Sequence, residues 1–133
     1  MNKTIKKIMI VDDNEFDCYI TSKIINNIDE SIDIMEFNSS TTAIQFLEEF
    51  QNTTDKLPDF IFLDIYMPVI DGFGFLDRFN DLSDVIKSHT KICILSTTVD
   101  DLYIQKAKIN SSVMFASKPV TNEFLEDLFN KTN

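Results

Sequence analysis

The stretch Asp64-Ile65-Tyr66-Met67-Pro68-Val69-Ile70-Asp71-Gly72 comes directly after the apolar run Phe60-Ile61-Phe62-Leu63. One carboxylate therefore stands at the exit of a strand short and apolar enough to be buried on both faces. That is a position for a nucleophile. Near the N-terminus a second apolar run, Ile8-Met9-Ile10-Val11, ends in Asp12-Asp13. If the two strands lie parallel and adjacent, three carboxylates meet at one edge of the sheet, and such a concentration of like charge calls for a cation.

Two further runs, Ile92-Cys93-Ile94-Leu95 and Val113-Met114-Phe115-Ala116, read as buried strands in the same way. Ile32 to Phe37 alternates apolar and acidic residues, as a more exposed edge strand does. Helical periodicity fills the intervals. Phe16, Ile20, Ile24 and Ile28 recur four residues apart, and Ala43, Phe46, Leu47 and Phe50 form a second stripe behind a Ser39 or Ser40 cap. A third helix starts at about Phe73. Thr98-Val99-Asp100-Asp101 has a capping-box pattern that opens a fourth, and Thr121 caps a last one striped by Phe124, Leu125, Leu128 and Phe129.

Five strands alternating with five helices predict an α/β fold: a doubly wound, flavodoxin-like five-stranded parallel sheet, strand order 2-1-3-4-5, with helices on both faces. In that order strands 1 and 3 are neighbours. Ligands of such sheets bind beyond the carboxyl ends of the strands where the winding reverses, which is where Asp12, Asp13 and Asp64 would meet.

Bulk properties exclude several functions. At 133 residues and 44% hydrophobic content the chain fits one domain, 1–133, with a single well-packed core. A net charge of −10 argues against a nucleic-acid surface, which needs clustered Lys and Arg. Gly72 and Gly74 are the only glycines, too few for a phosphate-cradling loop. The basic start Lys3 to Lys7 leads into an apolar run that stops at Asp12, too short for a signal peptide, and no run is long enough to span a bilayer. A soluble, cytoplasmic protein is expected. Cys18, Cys93 and the single His89 have neither zinc-ligand spacing nor a disulfide pattern.

Taken together, Asp12-Asp13, Asp64 followed by Met67-Pro68 and Asp71-Gly72, Ser96 ending the fourth strand and Lys118-Pro119 after the fifth resemble the receiver domain of response regulators, over essentially the whole chain. The resemblance implies that Asp64 is the phosphoacceptor. It also implies that Asp12 and Asp13, with Asp64 and the backbone carbonyl of Tyr66, hold Mg²⁺, and that Lys118 pairs with a phosphoryl oxygen. Ser96 would bond the attached phosphoryl group, and Phe115 would be the aromatic switch, although an ordinary core aromatic is its plain alternative. A cis Lys118–Pro119 peptide is expected. Thr97 departs from the usual small residue, and Phe115 lacks the hydroxyl of the frequent tyrosine.

The function so implied is a stand-alone response regulator of a two-component phosphorelay, with no effector domain after Asn133. The phosphoryl donor is a histidine kinase or histidine phosphotransfer protein, and an output protein binds the face of the fourth helix, fifth strand and fifth helix, about Asp100 to Asn130, with Tyr103 as its exposed aromatic. Tyr66 and Thr98 would govern phosphoryl lifetime. A phosphorelay intermediate is one alternative, and a fragment of a longer protein another. An aspartyl phosphohydrolase of the haloacid-dehalogenase type would need a carboxylate two residues after the nucleophile, where Tyr66 stands, so no enzyme activity beyond self-phosphorylation and self-dephosphorylation is expected.

Overall fold

The computed structural model describes residues 5–96 and 113–132, the side chains of 131 and 132 excepted. Five strands, β1 (Lys7–Val11), β2 (Asp33–Phe37), β3 (Phe60–Asp64), β4 (Lys91–Ser96) and β5 (Val113–Ser117), form one sheet of order β2-β1-β3-β4-β5. Every pairing is parallel. The described helices are α1 (Glu15–Ile28), α2 (Ser40–Phe50), α3 (Gly72–Asn80), α4 (Asp84–His89) and α5 (Asn122–Thr132), with a 3-10 turn at Thr54–Lys56.

Because strand side chains alternate, each continuous apolar run feeds two layers. Met9, Val11, Ile61, Leu63, Ile92 and Ile94 face one cluster with Ala43, Ile44 and Leu47 of α2, Phe75 and Phe79 of α3 and Ile86 of α4. Ile8, Ile10, Phe60, Phe62, Cys93 and Leu95 face the other, with Cys18 and Ile25 of α1 and Leu125, Leu128 and Phe129 of α5. The expected doubly wound fold is the observed one.

Local structure departs from the sequence reading at several points. The buried face of α1 is Cys18, Thr21, Ser22 and Ile25. Phe16 is 69% exposed, and Ile20, Ile24 and Ile28 flank the interface half-buried. Small side chains let this helix approach the sheet, and the Ser22 hydroxyl is satisfied by donating to Glu36 Oε2 at 3.0 Å. The third helix begins at Gly72, one residue early, with Asp71 as its cap: Gly74 N–H donates to Asp71 Oδ1 at 2.9 Å. Helix α4 was not expected, since its six residues are too few to show periodicity. Its last residue, His89, brings Nε2 within 3.3 Å of Oδ1 of buried Asp59. Strand β5 is half-buried at the sheet edge rather than covered on both faces.

Ser39, not Ser40, caps α2, and Thr121 caps the last helix through Phe124 N–H. Ser40 instead donates to the Ile70 carbonyl at 2.7 Å, tying α2 to the loop after β3. The expectations on Thr97, the Thr98 capping box, the helix it opens and Tyr103 lie outside the described residues.

Candidate functional site

Register decides what meets at the carboxyl ends of the strands. Val11 of β1 pairs with Leu63 of β3, so the next residues, Asp12 and Asp64, emerge side by side. Asp64 in turn pairs with Leu95 of β4, which brings Ser96 to the same end, and Ser96 pairs with Ser117 of β5, which delivers Lys118. Four sequence-distant polar groups thus converge through strand pairing alone.

Asp12 is 3% exposed and almost completely engaged. Its N–H donates to the Phe37 carbonyl at 3.0 Å, and its own carbonyl accepts from Asn38 Nδ2 at 3.0 Å and Cys18 Sγ at 3.4 Å. One carboxylate oxygen accepts Asn14 N–H at 2.9 Å and the other meets Lys118 Nζ at 2.5 Å. Asp13 is exposed, and Asp12, Asp13 and Asp64 each bring one carboxylate oxygen within 4.8 Å of the others. Three anionic oxygens in that space suit a hard cation that takes oxygen ligands. The donor set therefore fits a divalent cation bound through oxygen.

Asp64 is 8% exposed. Its Oδ1 accepts Tyr66 N–H at 3.2 Å, and its Oδ2 lies 3.5 Å from Lys118 Nζ. Burial pushes the Asp64 carboxyl above the usual carboxylate range, and the Asp12 charge adds to it while Lys118 opposes. For Lys118, burial favours the neutral amine, but the Asp12 hydrogen bond and the Asp64 and Asp12 charges outweigh it and hold the ammonium above its ordinary value. The Lys118–Pro119 peptide is cis, as expected.

Ser96 is 6% exposed at the end of β4, where its carbonyl accepts Lys118 N–H at 3.0 Å. Phe115, paired with Ile94 in β5, is half-buried against the cluster that includes α2 and α3. Tyr66 is 45% exposed beside the acidic cluster. Sequence reasoning missed Asp17, whose Oδ2 lies 3.1 Å from Lys118 Nζ. Behind Asp12, burial and then the Asp12 charge push the Cys18 thiol up to about 12, which disfavours the thiolate.

Comparison with known proteins agrees with this geometry: the response regulator receiver domain family matches residues 8–130. The chain belongs to that family. Solved receiver structures superpose on this one across nearly its whole length. A two-component response regulator from Cytophaga hutchinsonii has a TM-score of 0.87 at 28% identity, covering 98% of each chain. A response regulator receiver protein from Dyadobacter fermentans has a TM-score of 0.83 at 28% identity, covering 95% of this chain and 96% of that one. The hybrid signal transduction histidine kinase L of Dictyostelium discoideum is 26% identical over 132 residues, which is 98% of this receiver and 7% of that protein. This chain spans between 6% and 36% of the length of such curated relatives. Among its described residues no helix is long and apolar enough to cross a membrane.

Proposed function

We propose that this receiver accepts a phosphoryl group on Asp64 from a histidine kinase or histidine phosphotransfer protein and acts as a phosphorylation-controlled switch in the cytoplasm. The observation that carries the reading is the meeting of Asp64 with Asp12, Asp13 and Lys118 at one sheet edge.

A carboxylate is a competent nucleophile toward phosphorus when its approach is fixed and the charge on the equatorial oxygens is neutralised. The Tyr66 N–H holds one oxygen of Asp64, which fixes the rotation of the carboxylate. A new P–O bond forms as the donor's P–N bond breaks, and the electron pair of that bond returns to the donor imidazole. Mg²⁺, held by Asp12, Asp13, Asp64 and the Tyr66 backbone carbonyl, would supply positive charge to the phosphoryl oxygens. Lys118 offers a mobile ammonium to another of them. The Ser96 hydroxyl would bond the attached group.

Output follows from a change of surface. Ser96 and Phe115 lie on neighbouring strands, so drawing Ser96 toward the phosphoryl group would bias the packing of the Phe115 ring. The partner protein would bind the face from about residue 100 to 130, of which 100–112 lie outside the described residues. No turnover of external phosphate esters is proposed, because the position two residues after Asp64 carries a tyrosine.

The test is transfer from a phosphorylated histidine phosphotransfer protein. Wild type should take up label that Asp64→Asn does not, and uptake by neither would refute the donor class. Quantitative return of label to a second histidine protein would mark a relay intermediate instead of a switch.

A further inference from the structure

Three carboxylates share one ammonium. Lys118 Nζ lies 2.5 Å from Asp12 Oδ2, 3.1 Å from Asp17 Oδ2 and 3.5 Å from Asp64 Oδ2. The first two are directed hydrogen bonds, and the contact to Asp64 is the loosest of the three. The resting lysine is therefore drawn toward α1 and away from the phosphoacceptor.

The two competitors differ in what a cation does to them. Asp12 belongs to the acidic cluster, so a bound cation neutralises its pull on the lysine. Asp17 stands outside that cluster, on the third residue of α1, and its claim persists. Its position is fixed, because its N–H donates to Asn14 Oδ1 at 3.0 Å in the first turn. Its side chain is 38% exposed, facing a groove shared by Phe16, Ile20, Lys118 and Pro119, so it is a solvated partner that the lysine can leave.

We infer that Asp17 is a positioning residue that competes with the phosphoryl group for Lys118 and so weakens retention of the phosphorylated arrangement. The inference rests on the reading of Lys118 as the phosphoryl-binding lysine. Asp17 fits a second, purely structural role, an acid complementing the dipole of the first turn of α1, and the test must separate the two. Competition predicts that freeing the lysine tightens binding; loss of a helix-stabilising acid does not.

Beryllofluoride with Mg²⁺ serves as the phosphoryl mimic, and fluorine resonances of the bound form report its affinity. Asp17→Asn should bind about two- to five-fold more tightly, the upper range of ion pairs with a solvated partner. Asp17→Glu, which keeps the carboxylate, should stay near wild type. Glu15→Gln removes the same charge from the same helical turn without touching Lys118, and should also stay near wild type. Unchanged or weaker binding in Asp17→Asn overturns the inference, as does an equal gain in Asp17→Glu or Glu15→Gln. Lys118→Ala separates the two levels. If it binds as wild type does, the assignment of Lys118 fails; if it loses affinity while Asp17→Asn gains none, only the competition fails.

Discussion

At the level of single residues, Asp64 is one of three buried aspartates among the described ones, with Asp12 and Asp59, and burial raises its carboxyl pKa. An acid held above its ordinary range in the fold binds its proton more tightly folded than unfolded. Such a group costs stability as pH rises through the ordinary carboxylate range up to the folded value. Asp64→Asn is therefore expected to melt higher than wild type near about pH 7, with the gap closing toward about pH 4. A gap of equal size at both pH values would show that the gain has another origin. Tyr66 is half-exposed two residues further on, and a ring there that obstructs water predicts that Tyr66→Ala shortens the lifetime of the phosphorylated form. Equal decay rates would mean that the ring does not cover the attack line. Asp12, Asp13 and Asp64 were legible because they follow directly on apolar runs, and Lys118 through the resemblance to the receiver family. Asp17 was not, since an acid in the first turn of a helix looks like an ordinary solvated dipole partner. The Asp59–His89 pair was equally hidden, because it needs the β3 and β4 neighbourhood that only the folded sheet supplies.

For the elements, legibility followed how apolar each buried face is. Helix α2 buries Ala43, Ile44 and Leu47, close to the stripe its sequence shows. Helix α1 does not: its buried positions include Cys18, Thr21 and Ser22, and hydrophobicity alone favours the flanking Phe16 and isoleucines. The rotation has a measurable consequence. Ile25→Ala, at a fully buried position, should lower unfolding free energy by about 2–5 kcal/mol. Phe16→Ala, at an exposed one, should change it by no more than about 0.5 kcal/mol. Denaturant titration reads both, and a larger loss from Phe16→Ala would contradict the observed face of α1. Strand order was readable from the alternation of elements, whereas α4 was too short for any periodic signal.

At the scale of the whole molecule, the doubly wound sheet does two things at once. It gathers Asp12, Asp64, Ser96 and Lys118 at one end by register, and it runs Phe115 along the neighbouring strand to Ser96. A phosphoryl group can shift the ensemble only by its unequal interaction with two arrangements, and each tenfold change of population takes about 1.4 kcal/mol. A graded switch is expected. With Mg²⁺ and beryllofluoride, amide shifts should reach Phe115, and shifts confined to the surroundings of Asp13, Asp64 and Lys118 would show that the signal does not leave the site along β5. The proposed chemistry requires that Asp64 alone accept the phosphoryl group. Intact mass after incubation with acetyl phosphate and Mg²⁺ tests it most directly: wild type should gain one phosphoryl group and Asp64→Asn none, whereas stoichiometric gain in Asp64→Asn would contradict the account.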